Sequence, residues 1–151
     1  NDRIDAALEI GADGAHIGQH DMEVASARQL LGRNRILGVS VQSAKQAVMA
    51  ERSGADYLGA GSIFPSPTKL DAERVSLETL KEITSSVSIP VVAIGGINEE
   101  NIMMLKGTGI SGVAVVSAIL AKRDIRKAAE SMLLFSKLLS GEMIKNESSD
   151  I

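Results

Sequence analysis

The 151-residue sequence contains no cysteine and no tryptophan, and it has only three aromatic side chains, Tyr57, Phe64 and Phe135. Without cysteine, the chain can form neither a disulfide framework nor a zinc–thiolate site. This is compatible with a reducing compartment, and we expect a cytoplasmic protein. With so few aromatic rings, the core must be aliphatic, which suits a fold with many close helix–strand contacts.

Basic clusters and long apolar runs are also missing from the sequence. The net charge is −3 and no run of Lys and Arg occurs, whereas binding to a phosphate backbone needs clustered basic residues. No apolar run approaches the roughly 18 residues of a membrane span, and no signal peptide is visible. We therefore expect neither nucleic acid nor a membrane as a partner.

The sequence repeats one unit, a glycine turn followed by a short apolar run, at 11–18, 53–61 and 108–119. Such internal similarity is typical of repeated βα units. The predicted strands are Gly14–Gly18, Arg35–Val41, Tyr57–Ser62, Pro90–Gly95 and Val113–Val116. The predicted helices are Arg3–Ile10, Val24–Leu31, Ala44–Ser53, one capped by Ser76 and ending near Ser85, Glu99–Lys106, and one from Ile125 to about Ser140.

The strands "VVAI" and "VAVV" are continuously apolar, which predicts burial on both faces and hence a parallel sheet. An open doubly wound sheet and a closed (β/α)₈ barrel both fit this alternation. An open sheet gathers ligand groups at one switch point, whereas a barrel gathers them from the ends of many strands. We favour the barrel, because glycine or polar residues follow every strand: Asn1–Asp2, Gln19–Asp21, Ser40, Ser66–Lys69, Gly95–Gly96 and Ser117.

Taken singly, these residues allow two interpretations each. Asp2 and Asp21 could share one Mg²⁺, or each could cap a helix. Lys69 could bind a phosphate or diphosphate as a point charge, or it could be a solvated surface lysine. Gly95–Gly96 could offer bare N–H groups to a phosphate, or it could allow tight packing where the strand turns.

The segment "SIFPSPTK" combines two prolines with the hydroxyls of Ser66 and Thr68, which flank the second proline. The prolines fix φ and limit loop entropy, so the hydroxyls could donate to phosphate oxygens; the alternative is an ordinary proline-rich turn. His16 lies within an apolar strand, and we expect a packed core histidine. His20 has no evident Ser or Cys nucleophile, so we expect no catalytic triad.

Six segments, read in order, strongly resemble the thiamine-phosphate synthase family. They are "NDR", "GADGAHIGQHD", "GVSV", "GADYLGAGSIFPSPTK", "PVVAIGGIN" and "GVAVVSAI". The resemblance extends from Asn1 to about Leu139. It implies a (β/α)₈ TIM barrel that couples hydroxymethylpyrimidine diphosphate to a thiazole phosphate, giving thiamine phosphate and pyrophosphate.

The resemblance also implies roles for particular residues. Asp2 and Asp21 are expected to hold Mg²⁺. Asn1, Ser40 and Lys69 are expected to contact the pyrimidine diphosphate, and Ser40 and Lys69 are also expected to take part in catalysis. The thiazole phosphate site is expected to be lined by Ser66, Pro67, Thr68, Gly96, Val116 and Ser117. No activated nucleophile is needed if pyrophosphate leaves first, so the expected contributions are positioning and electrostatics.

Two features depart from the family pattern. Ser66 stands where the family usually has threonine, and an upstream Gln–Arg–Lys segment that helps to bind the diphosphate is absent. A barrel typically needs about 250 residues, so we expect residues 1–140 to form its C-terminal part, with about strands 4–8 and helices 3–8. Residues 141–151 are expected to be a polar tail.

Five strands cannot close such a barrel. The chain alone is therefore expected to be inactive, with unpaired edges prone to association, which leaves homo-oligomerisation open. A thiazole tautomerase-like barrel enzyme, another phosphate-binding barrel such as an epimerase, and an inactive fragment or interaction module remain as alternatives.

Overall fold

The computed structural model describes residues 1–65 and 74–140, except for the side chain of residue 140. The strands are β1 (Gly14–Ile17), β2 (Ile36–Val41), β3 (Tyr57–Ala60), β4 (Val91–Ile94) and β5 (Gly112–Ala114). The α-helices are α1 (Ile4–Glu9), α2 (Val24–Leu31), α3 (Ala44–Arg52), α4 (Leu77–Ser86), α5 (Ser117–Leu120) and α6 (Ile125–Ser140). A 3₁₀ helix covers Ile102–Leu105.

The five strands form one sheet in the order β1-β2-β3-β4-β5, and every neighbouring pair is parallel. Since parallel neighbours need crossover connections, a helical segment lies between each strand and the next. The carboxyl ends of all five strands therefore lie along the same edge of the sheet, which we call the C-terminal edge. The predicted α/β fold with a parallel sheet is confirmed.

One face of the sheet packs against the helices and forms the core. Leu37, Val39 and Val41 alternate along β2 and are fully buried, as are Leu58 and Ala60 of β3. All the fully buried side chains of the hydrophobic core are aliphatic. The scarcity of aromatic residues in the sequence is therefore matched by an aliphatic core.

The other face of the sheet does not pack against the helices, and we call it the inner face because it would line the interior of a closed barrel. It is less buried than the continuous apolar runs predict. Ile36 of β2 is 54% exposed and Ile94 of β4 is 41% exposed. Side chains alternate between the two faces of a strand, so these residues point away from the helices. Among the described residues, the burial of β4 alternates instead of being continuous, and the expectation of burial on both faces is wrong there.

Helix boundaries follow the local signals in the sequence. The hydroxyl oxygen of Ser43 accepts a hydrogen bond from the backbone N–H of Gln46 and so caps α3, and that of Ser76 accepts one from Thr79 and caps α4. Gly11 follows α1 with φ +66°, a left-handed conformation that glycine adopts easily at a helix end.

The region after β4 differs from the prediction of a helix over Glu99–Lys106, because only the 3₁₀ helix forms there. The Asn101 side-chain oxygen accepts from the Asn98 N–H, and the Asn98 side-chain oxygen accepts from the Glu100 N–H. These bonds serve N–H groups at the start of the segment, which an α-helix would also leave free. Farther along, the N–H groups of Met104 and Lys106 donate to carbonyl oxygens three residues back, which is the 3₁₀ pattern. Past β5, the short helix α5 was not predicted, and the strand ends at Ala114.

Within the ranges that the structure describes, no helix combines the length and apolar character needed to cross a membrane.

Candidate functional site

Three polar side chains lie on the inner face of the first three strands. His16 of β1, Ser40 of β2 and Tyr57 of β3 are each half-buried. Nδ1 of His16 lies 2.9 Å from the Tyr57 hydroxyl, and Nε2 lies 2.9 Å from the Ser40 hydroxyl. The centroids of the His16 and Tyr57 rings are 5.5 Å apart. His16 therefore links two other strands, instead of lying in the apolar core as the sequence led us to expect.

Ser40 is also held through its backbone. The side-chain amide of Gln19, in the loop after β1, donates to the carbonyl oxygen of Ser40 at 2.6 Å. The predicted substrate-contacting residue Ser40 is thus fixed at two atoms, its hydroxyl by His16 and its carbonyl by Gln19.

The two predicted metal ligands lie beside β1. The Asp2 N–H donates to the carbonyl oxygen of His16 at 2.8 Å, which places Asn1 and Asp2 alongside this strand. Asp2 has φ +63°, the one positive value found among described residues other than glycine. The Asp21 carboxylate accepts from the Gly18 N–H at 2.6 Å, so Asp21 is anchored where β1 ends.

The charges of both aspartates reach the His16 ring. Burial lowers the pKa of His16 below its usual value, and the positive charge of the Asn1 α-amino group lowers it further. The negative charges of Asp2 and Asp21 act in the opposite direction and raise the pKa. Asp2 and Asp21 therefore both lie within electrostatic range of the same imidazole. Asn1, Asp2 and Asp21 themselves are exposed.

A titration of His16 tests this electrostatic arrangement. We expect Asp2→Asn or Asp21→Asn to lower the pKa of His16 further, because each removes a negative charge that favours the imidazolium. The unfolded chain binds the proton more readily than the fold does, so the fold should lose stability as pH falls below about 6.5. The ring C–H signals in NMR provide the measurement, and His20→Gln assigns them. An unchanged or higher pKa in both variants would contradict the arrangement.

The turn after β4 packs against the chain that follows β3. Gly96 has φ +66°, and a Cβ atom there would lie 2.5 Å from the carbonyl oxygens of both Phe64 and Pro65. The Phe64 N–H donates to the Gly95 carbonyl at 3.0 Å, and the Asn101 side-chain amide donates to the Gly96 carbonyl at 2.9 Å. The double-glycine turn thus meets the beginning of "SIFPSPTK" at the C-terminal edge.

The remaining predicted residues fall into two groups. Val116 and Ser117 are exposed at the start of α5, just beyond β5, so they also lie at the C-terminal edge. Four others lie outside the described residues, namely Ser66, Pro67, Thr68 and Lys69. On either side of the undescribed stretch, Pro65 lies next to Gly96 and Val75 donates to the Ser62 carbonyl at 2.9 Å.

The residues present are compatible with a magnesium ion. Among the described residues, no cluster of three or more His, Cys, Asp or Glu side chains could hold a metal by itself. Mg²⁺ commonly takes only one or two carboxylates and obtains its other ligands from water and substrate phosphates. Exposed carboxylates at Asp2 and Asp21 fit that mode, and they do not fit a closed all-protein cage.

His16 and Tyr57 are the functional candidates that sequence reasoning missed. Their signal was the set of small residues on one face of two strands, Gly38 and Ser40 in β2 and Gly59 in β3, which leaves room for large side chains nearby. Recognising it required the register, which pairs His16 with Gly38 and Gly38 with Tyr57.

Comparisons with known proteins agree with the motifs. The family model for thiamine monophosphate synthase matches residues 1–119. The thiamine-phosphate synthase of Ruminiclostridium cellulolyticum is 55% identical over 133 residues, which cover 88% of this chain and 63% of that protein. The thiamine-phosphate synthase of Clostridium tetani is 53% identical over 135 residues, covering 89% of this chain and 65% of that protein.

Solved structures agree as well. The thiamine phosphate pyrophosphorylase from Pyrococcus furiosus superposes with a TM-score of 0.82 and 46% identity, covering 91% of this chain and 66% of that protein. The chain thus spans slightly less than two thirds of the length of these relatives. Since the family model and relatives more than 50% identical cover most of its residues, the chain belongs to the thiamine monophosphate synthase family.

Proposed function

We propose that this chain provides the substrate-binding rim of a thiamine-phosphate synthase, which joins a pyrimidine diphosphate to a thiazole phosphate and releases pyrophosphate. The observation that carries the proposal is the environment of His16. Its ring contacts Ser40, its carbonyl oxygen accepts from the Asp2 N–H, and the Asp21 carboxylate accepts from the N–H of Gly18, two residues farther along the chain. A hydroxyl donor and two carboxylates therefore converge in a chain of this family, at the edge where barrel enzymes hold substrates.

Each part of the rim has a proposed task. Asp2 and Asp21 would hold Mg²⁺, which when bound would neutralise charge on the diphosphate. Ser40 and Lys69 would donate to diphosphate oxygens, and Asn1 would contact the same substrate.

The thiazole phosphate would lie at the other side of the rim. There we propose contacts from Ser66, Pro67, Thr68, Gly96, Val116 and Ser117. The closeness of Gly96 to Pro65 supports this grouping, since it brings the double-glycine turn next to the chain that leads into the first three of these residues.

The chemistry needs no protein nucleophile. The C–O bond to the diphosphate breaks and its electron pair leaves with pyrophosphate, while the aminopyrimidine ring stabilises the cation that remains. The thiazole nitrogen then supplies its lone pair to form the new C–N bond. In this sequence the protein binds, orients and neutralises charge, and Lys69 is the proposed donor to the departing diphosphate. Because phosphorylated substrates do not cross membranes readily, a cytoplasmic location is part of the proposal.

A chimera tests the proposed function directly. The matched region of the Ruminiclostridium cellulolyticum relative is replaced by residues 1–139 of this chain, so that the part of the relative outside the match supplies the rest of the protein. We expect the chimera to form thiamine phosphate and pyrophosphate from the two substrates when Mg²⁺ is present. Both products are quantified by chromatography.

Two controls decide the meaning of the result. Lys69→Ala in the chimera should lower the rate by about 100-fold or more, because one charge-stabilising donor is lost. A folded chimera that forms no thiamine phosphate would sink the proposal. Conversion of the thiazole phosphate to an isomer, without coupling, would favour the tautomerase alternative.

A further inference from the structure

Two glycines make room on the inner face for the rings of His16 and Tyr57. A Cβ atom at Gly38 would lie 2.4 Å from Nδ1 of His16 and 2.2 Å from Cζ of Tyr57. A Cβ atom at Gly59 would lie 3.2 Å from Cε1 of His16. The strand register therefore provides a fitted place for the imidazole, with one side chain bonded to each ring nitrogen.

The two ring nitrogens have different partners, which limits the tautomer. A neutral imidazole has one N–H donor and one acceptor nitrogen. A phenol is a stronger acid than an aliphatic hydroxyl, so Tyr57 is the better donor to the acceptor nitrogen, Nδ1. The proton of the ring then lies on Nε2 and is donated to the Ser40 oxygen, which leaves the hydroxyl proton of Ser40 available to a third group.

We propose that His16 is a positioning residue: it fixes the Ser40 hydroxyl through Nε2–H, so that Ser40 presents its own proton to an oxygen of the bound diphosphate. The Tyr57 hydroxyl holds the required tautomer, and Gln19 holds the Ser40 carbonyl. The identity of the ligand rests on the proposed function, whereas the direction of the hydrogen bonds rests on the contacts of the inner face.

The direction of the hydrogen bonds is tested without any ligand. The 151-residue chain is labelled with ¹⁵N-histidine, and its two imidazoles are distinguished with His20→Gln, which changes the exposed histidine. We expect His16 to carry its proton on Nε2 at neutral pH. Tyr57→Phe should shift the ¹⁵N signals of His16 strongly and those of His20 little. A proton on Nδ1 would overturn the proposal, because Ser40 would then donate to the ring and not to a ligand.

The link to binding is tested by the affinity of the chimera for the pyrimidine diphosphate in the presence of Mg²⁺, measured by calorimetry. His16→Leu keeps a similar volume without a hydrogen bond, and we expect affinity to fall about 10-fold, the scale of one neutral hydrogen bond. His16→Gln retains a side-chain N–H donor and should keep affinity within about threefold of the chimera without further substitutions. His20→Gln should leave affinity unchanged.

A double-mutant cycle separates positioning from packing. If His16 acts through Ser40, then Ser40→Ala and His16→Leu/Ser40→Ala bind equally weakly, whereas independent effects would add. Additive losses, or a His16→Gln variant as weak as His16→Leu, would refute the positioning role and leave the proposed function intact. If His16→Leu fails to fold, His16→Gln and Tyr57→Phe still decide the matter. A folded chimera without further substitutions that binds no pyrimidine diphosphate would count against both proposals.

Discussion

Replacing Asp21 by asparagine should raise the Mg²⁺ concentration needed for half-maximal thiamine phosphate formation by about 100-fold or more. Changing a residue that only hydrogen-bonds to a metal ligand already costs about 10–100-fold in metal affinity or activity, and here a proposed ligand itself loses its charge. Asparagine keeps an oxygen that can accept from the Gly18 N–H, so the loop should retain its conformation. The rate of the chimera is measured against Mg²⁺ concentration.

Asp13, at the other end of β1, offers a matched control. It is exposed and immediately precedes β1, while Asp21 follows that strand at the C-terminal edge. Asp13→Asn removes one negative charge from the opposite edge of the sheet and should leave the Mg²⁺ requirement unchanged. Equal effects of the two substitutions would mean that overall charge, and not a metal site, controls the rate.

Replacing Gly96 by alanine should destabilise the chain by about 3 kcal/mol and displace the segment before Ser66. The left-handed backbone at Gly96 costs an L-residue about 1–2 kcal/mol. The added Cβ would also meet two backbone carbonyls, those of Phe64 and Pro65, at 2.5 Å, and overpacking typically costs about 1–3 kcal/mol more. Urea denaturation provides the free energy of unfolding.

Gly11 separates these two costs. It has the same φ of +66°, but a Cβ atom there would meet nothing within 4 Å. Gly11→Ala should therefore cost only the backbone term, about 1–2 kcal/mol. If both substitutions destabilise the chain equally, the close approach of the double-glycine turn to Phe64 and Pro65 is not a real constraint.

The sequence predicted the order of strands, the parallel sheet and the convergence of strand ends, because each depends on local signals. Continuous apolar runs, glycine turns and helix caps such as Ser43 and Ser76 are all read from neighbouring residues. The resemblance to a family then supplied roles that local patterns do not give, since the residue type alone favours helix capping for both Asp2 and Asp21.

The rest depended on contacts between distant residues. His16 meets Ser40 and Tyr57 only because of the strand register, across 24 and 41 residues of chain. The helix expected over Glu99–Lys106 is replaced by a 3₁₀ helix, in which the N–H groups of Met104 and Lys106 donate to carbonyl oxygens three residues back. Neither the register nor the 3₁₀ hydrogen bonding is visible in the hydrophobic pattern.

The central claim is that residues from Asp2 to Ser117 form one substrate-binding rim at the C-terminal edge of the sheet. Amide NMR of the chimera, recorded before and after addition of the pyrimidine diphosphate with Mg²⁺, tests it most directly. We predict large shifts at Asp2, Asp21 and Ser40, with little change at Asp13 on the opposite edge. Addition of the thiazole phosphate to a separate sample should instead shift Gly96 and Ser117. Shifts concentrated at the opposite edge, or scattered over both, would contradict the account.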